Sequence, residues 1–177
     1  MRRLYDIDLL DEEQLQGQMA AWSIWILVLG ILVGVIGPVV VPSEPLSPWW
    51  FVALVAVSAA VMPIHELVHA AAFKVLAGFG TPIEFGFSSW MLFTCAPGVM
   101  LARGKFCAVL LSPAVVVTAA LGVVLTMLGY PLLAWFCAVV HLAGCTGDFG
   151  YVRIIAGEPM ANMIQDTRNG IALFHDE

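Results

Sequence analysis

The sequence predicts an all-α membrane protein of about four transmembrane helices with a small cytoplasmic β-hairpin between helices 2 and 3. Its 177 residues are 61% hydrophobic and 11% charged, where an ordinary soluble domain is about 45–50% apolar and about 25% charged. A chain of this size cannot cover its surface with so few polar groups, so a bilayer must act as its solvent. Four stretches, 20–41, 49–77, 106–129 and 131–155, are long enough to cross a hydrocarbon core, which takes roughly 20 apolar residues as helix.

Residues 1–19 form a cytoplasmic N-terminal segment. Met1-Arg2-Arg3 followed by Asp6, Asp8, Asp11, Glu12 and Glu13 is too acidic for a transit peptide. The first apolar run exceeds the usual 7–15-residue core of a cleaved signal, so it reads as a retained membrane helix. Residues 20–156 are the membrane domain, interrupted by turn chemistry at Pro42-Ser43-Glu44-Pro45 with Ser47-Pro48, at Gly78-Phe79-Gly80-Thr81-Pro82 and at Gly129-Tyr130-Pro131. Within it, 78–105 patterns differently. Ile83, Phe85 and Phe87 alternate against Glu84 and Gly86, and Pro97-Gly98 offers a turn before 99–102, which predicts the hairpin. Residues 157–177 are a polar cytoplasmic tail in which 171–174 forms one short strand.

Orientation follows from the basic residues, which concentrate in short cytoplasmic loops. Arg2 and Arg3 precede helix 1; Lys74, Arg103 and Lys105 flank the second connection; Arg153 and Arg168 end or follow helix 4. Four spans put all seven on one side, which predicts a multi-pass protein of the cell membrane with both termini cytoplasmic. The excess of 13 acidic over 7 basic residues argues against a nucleic-acid partner. Cys95, Cys107, Cys137 and Cys145 lack the dense spacing of a secreted disulfide scaffold and read as reduced packing residues.

The chemistry lies in His65-Glu66-Leu67-Val68-His69, an HExxH pattern inside helix 2. Residues four apart share one helix face, so both imidazoles can reach one Zn2+ ion while Glu66 takes a proton from the attacking water. The metal brings the pKa of a coordinated water to about 7 and polarises the substrate carbonyl. Two packed histidines are the blander account, but ionisable groups are costly in a bilayer and by default mark function. A catalytic zinc site keeps three protein ligands, and Asp148, Cys145, His141 and Glu84 are candidates for the third. Entering from the outer face, helix 2 reaches His65 after about 24 Å of rise, and helix 4, running parallel to it, reaches Asp148 at the same depth. A helix cap is the alternative for Asp148. A helix stopping at Gly144 would be only about fourteen residues, short of a span, which keeps Asp148 inside helix 4.

His141 precedes Asp148 by seven residues, about two turns, and so shares nearly its face. It is a candidate catalytic donor to the oxyanion, with a buried structural histidine as the equal alternative. Cys137, His141 and Cys145 make a weaker metal-binding stripe, more simply read as packing. Pro63 removes a backbone donor just before His65 and predicts a kink or local widening. His175 reads as a surface residue.

These features resemble a family of membrane zincin peptidases, related in outline to site-2 proteases. The resemblance rests on His65-Glu66-Leu67-Val68-His69, on Cys95-Ala96-Pro97-Gly98 and Ser112-Pro113, on Gly144-Cys145-Thr146-Gly147-Asp148, and on the tail from Ile164 through Asn169 to Ile171. It covers roughly residues 50–175. It implies a zinc-dependent peptidase with His65, His69 and Asp148 as ligands and Glu66 as base, acting on a peptide or membrane-protein substrate. His141 stands about where site-2 proteases carry an asparagine, and their longer proline-rich aspartate motif is absent. The competing class is a non-catalytic membrane protein: a pseudoprotease, or a metal-handling protein using His65, His69, His141 and Cys145. An extended substrate adding a strand to the 83–102 segment is a further expectation.

Overall fold

The computed structural model describes residues 1–8, 12–40, 43–88, 91–168 and 170–176, with backbone alone at 8, 38–40, 88 and 91. Asp11, Val41, Pro42 and Asn169, which figured in the reading above, lie outside the described residues. The chain runs β1 (Arg2–Asp8), α1 (Glu13–Val40), α2 (Pro48–Ala77), β2 (Glu84–Ser88), β3 (Met91–Cys95), β4 (Met100–Ala102), α3 (Arg103–Met127), α4 (Pro131–Gly144), α5 (Thr146–Gly157), β5 (Met163–Asp166) and β6 (Gly170–His175). It is mostly helical with small antiparallel sheets.

Three helices, α1, α2 and α3, are long and apolar enough to cross a membrane, and α4 with α5 passes the same test as a pair bent by 49°. The bend corrects the expected continuous helix over 131–155. Cys145 sits at φ −79°, ψ 5° between the two pieces, flanked by Gly144 and by Gly147 two residues on. Glycine is a poor helix former, so the run Gly144–Gly147 is where the ladder gives way. Helix α2, by contrast, stays one element through Pro63. It is launched by Ser47, whose side chain accepts from the Trp50 N–H, with Pro48 at the first helical position.

Helix α4 is the hub of the bundle, packing against α1, α2 and α3. Its contact with α1 depends on small residues, as membrane helix interfaces generally do. A Cβ at Gly30 would collide with the Val139 side chain, and the Gly30 carbonyl accepts from Trp135 Nε1 at 2.8 Å.

Below the helices lies a four-stranded sheet in the order β1-β6-β5-β4, all neighbours antiparallel. Of these, strands near 99–102 and 171–174 were expected. The N-terminal segment and 163–166 are strands as well, and 100–102 pairs with β5 rather than folding back on β2. The hairpin partner of β2 is β3, in register Phe85↔Thr94 and Gly86↔Phe93. The Phe93 ring lies where a Cβ on residue 86 would stand, which is why glycine interrupts the apolar alternation there. Ile7, Leu101, Ile164, Ile171 and Leu173 from the sheet join Phe73, Phe106 and Ile155 from α2, α3 and α5 in one buried cluster.

Asp166 fastens the turn between β3 and β4. Its Oδ2 accepts from the Ala96 N–H at 2.5 Å, and its main chain bonds Gly98 and Val99. Gly98 has φ +81°, a value that favours glycine. Burial pushes the Asp166 carboxyl up to about 7, against the opposing pull of the Ala96 donor.

At the far end of the bundle Glu44 joins α2 to α4. It accepts from Trp50 Nε1 at 3.0 Å, from the Leu132 N–H at 3.0 Å and from the Leu133 N–H at 2.6 Å. Burial raises its pKa, but these donors and its own N–H outweigh that and hold it below the usual carboxylate value. The main-chain donors belong to the first turn of α4, so Glu44 does from a distance what an N-cap side chain does locally. Glu44→Ala is expected to cost about 1–2 kcal/mol, read as a lower melting temperature in detergent. An unchanged melting temperature would mean that these bonds contribute nothing net.

Candidate metal centre

Helix periodicity stacks His65 over His69, with ring centroids 4.8 Å apart, on the buried side of α2. Asp148 arrives from the first turn of α5. Its Oδ2 lies 3.3 Å from His65 Nε2, its Oδ1 lies 3.3 Å from His69 Nε2, and the two Nε2 atoms are 3.1 Å apart. Donors held about 2.0–2.2 Å from a tetrahedral ion stand roughly 3.3–3.5 Å from one another. The three side chains therefore form a triangle of the right size and donor chemistry for one small divalent ion. Asp148 makes no cap bond; the bend after Gly144 turns its carboxylate to the histidines.

The other ring nitrogens are also engaged. His69 Nδ1 is 3.1 Å from the Val109 carbonyl, which can only accept, so that nitrogen carries the proton and leaves Nε2 free as a ligand. His65 Nδ1 is 3.1 Å from His141 Nε2, and His141 Nδ1 is 2.9 Å from Thr118 Oγ1. His141 is only 4% exposed. Cys145 Sγ lies 3.8 Å from His65 Nδ1 and 3.8 Å from His141 Nε2. His65, His141 and Cys145 are thus a second group of metal-capable atoms, sharing His65 with the first.

The Asp148 triangle opens on a cavity of about 280 Å³ between helices, hairpin and tail. Glu66, 9% exposed, lines it beside the histidines, as do Thr94 and Cys95 of β3 and Asp166 of β5. The Thr94 hydroxyl donates to the Glu66 carbonyl at 3.0 Å, fixing the hairpin on α2. The cavity thus offers a carboxylate near the triangle and a strand alongside both.

His141 does not line this cavity. The expected position opposite an oxyanion assumed an unbroken helix through Asp148. The break at Cys145 instead leaves His141 behind His65, with both its nitrogens occupied. Glu84, another candidate ligand, is on the surface and paired with Arg168 at 3.0 and 3.2 Å. Sequence reasoning passed over Thr118 and the Val109 carbonyl. A hydroxyl within an otherwise apolar span was the available signal for Thr118; nothing local marks a backbone carbonyl.

A family model described as "Putative zincin peptidase" matches residues 58–162. No curated protein and no solved structure gives a significant match. The matched segment is more than half of the chain and contains His65, Glu66, His69 and Asp148, so the chain belongs to that zincin peptidase family.

Proposed function

We propose that the chain is an integral membrane zinc metallopeptidase that hydrolyses peptide bonds near the cytoplasmic membrane face. His65, His69 and Asp148 hold the metal, and Glu66 is the general base. The observation that carries this reading is the cluster of donor atoms, the two Nε2 atoms 3.1 Å apart and each 3.3 Å from a different oxygen of Asp148, with a further carboxylate on the same cavity wall.

Zinc, when bound, acidifies water and polarises a carbonyl. The protein's own groups do the rest. The carboxylate of Glu66 accepts a proton as the water oxygen bonds to the carbonyl carbon. It then returns that proton to the amine nitrogen as the carbon–nitrogen bond breaks. Val109 keeps the His69 ring in its ligating tautomer. Strand β3, with Leu92 to Cys95 on the cavity wall, supports an extended peptide pairing along the hairpin, where backbone bonds give affinity without demanding a particular sequence.

The sheet supports four crossings. Strand β4 precedes α3 and β5 follows α5, yet the two are hydrogen-bonded, so the chain between them must cross the bilayer an even number of times. With α3 crossing once, the bent α4–α5 pair makes the second crossing. By the same argument β1, paired to β6, lies on that side too. The clustering of Lys and Arg there favours the cytoplasm of a cell membrane.

A second reading, a metal-handling protein or pseudoprotease, is favoured by one observation, the His65, His141 and Cys145 group. Glu66→Gln separates the two. A peptidase loses about 10²–10⁴ in turnover while metal analysis of the detergent-purified chain still finds zinc, and Asp148→Ala loses the metal itself. Wild-type turnover in Glu66→Gln would overturn the enzyme reading. The hairpin is tested by Phe85→Pro, since proline interrupts strand pairing. Cleavage is expected to stop with zinc content intact, and undiminished cleavage would remove the strand-addition idea.

A further inference from the structure

Resting on the Asp148 triangle as the metal site, we infer that Thr118 and His141 are positioning residues that set the tautomer of His65 and confine the metal to one of the two available groups. The motif names neither role. Thr118 sits on α3, His141 on α4 and His65 on α2, so the relay Thr118–His141–His65 crosses three helices and ends at the triangle.

The tautomers follow from the donors and acceptors. For His65 Nε2 to give its lone pair to a metal, Nδ1 must carry the proton and donate to His141 Nε2, 3.1 Å away. His141 must then carry its own proton on Nδ1 and donate it to Thr118 Oγ1, 2.9 Å away. The opposite tautomers would run the same relay in reverse, with the Thr118 hydroxyl donating to His141, His141 to His65, and His65 Nε2–H to Asp148. Each imidazole keeps one proton throughout, so no net charge is created in the bundle. A hydroxyl serves both directions because it is donor and acceptor; serine retains that property and valine has neither.

The proton between His65 Nδ1 and His141 Nε2 also fills the place a metal would take between them. Filling the Asp148 group therefore closes the Cys145 group. The Cys145 thiol bonds instead to the His141 carbonyl at 3.2 Å, leaving the relay undisturbed. One metal per chain is the consequence.

The test is zinc affinity of the full-length detergent-purified chain by competition with a chelator, with the absorption spectrum of the cobalt-loaded chain as a second readout. Helical content and melting temperature are checked for each variant. Thr118→Val and His141→Leu are each expected to weaken zinc binding about 10–100-fold, the usual cost of losing an outer partner of a ligand histidine, and to shift the cobalt spectrum. Thr118→Ser restores both, which a purely steric role for the threonine methyl would not allow, and Cys145→Ala leaves affinity near wild type at one zinc per chain. Unchanged affinity in both Thr118→Val and His141→Leu, alongside loss of metal in Asp148→Ala, would overturn the relay and leave the Asp148 site standing. Two zinc ions per chain would overturn the exclusion of the Cys145 group. Metal lost in Cys145→Ala but kept in Asp148→Ala would overturn the relay together with the proposed metal site.

Discussion

A carboxylate carried into an apolar helical bundle is stable only if something there receives it, and the placement of Asp148 between two imidazoles is the constraint that orders the rest of the structure. Burying an unpaired charge is costly enough that the group would otherwise neutralise or stay at the surface. Here it lies 3.3 Å from each of two Nε2 atoms and in the first turn of α5, where the positive end of the helix dipole favours an anion. Both conditions require a helix to begin at this depth, so the fourth span is built as two short helices with a bend. A straight helix would give Asp148 neither the free main-chain N–H groups of a helix start nor the approach to α2.

That arrangement makes the bundle and the sheet interdependent. Helix α2 supplies two of the three donors, but its carbonyl at Glu66 and its face toward the cavity are held by β3 through Thr94. The hairpin is tied to the tail by Glu84 and Arg168, and the turn following β3 is clamped by Asp166. Sheet strands come from before α1, between α2 and α3, and after α5, so the sheet links three chain segments that the helices would otherwise leave as separate loops. The apolar cluster from Ile7 to Leu173 makes this layer continuous with the helices.

What the sequence revealed divides along the range of the interactions. His65, Glu66 and His69 were legible because a four-residue spacing is a local geometric statement. Asp148 was legible because rise per residue converts position into depth. The bend at Cys145 was not, because span length argued for an unbroken helix and two nearby glycines do not say by themselves that a ladder breaks. The same break undoes the face that His141 and Asp148 were expected to share, which was counted along a helix that is interrupted. Strands β1 and β5 escaped for another reason. Strand β1 carries charges and is a strand only because residues more than 150 positions apart pair at Arg2↔His175, a non-local bond that no window of sequence contains; β5 is short and is held between its neighbour β6 and the distant β4.

The cavity walls constrain how a substrate reaches the proposed centre. They are drawn from α2, α3, the α4–α5 bend, β3 and the tail, with no contribution from α1, which packs against α4 and α5 on another side of the bundle. Hairpin and tail therefore both border the space, and the described residues of the first helix do not. The carbonyls of an α-helix are already hydrogen-bonded to its own N–H groups. On the proposed peptidase reading, a helical peptide bond presented to Glu66 would first have to unwind, and unwinding in an apolar medium strands backbone donors and acceptors. Strand β3 beside the cavity offers replacements for them. The same reasoning favours substrates whose scissile segment is already extended, or lies close enough to water that leaving a helix costs little.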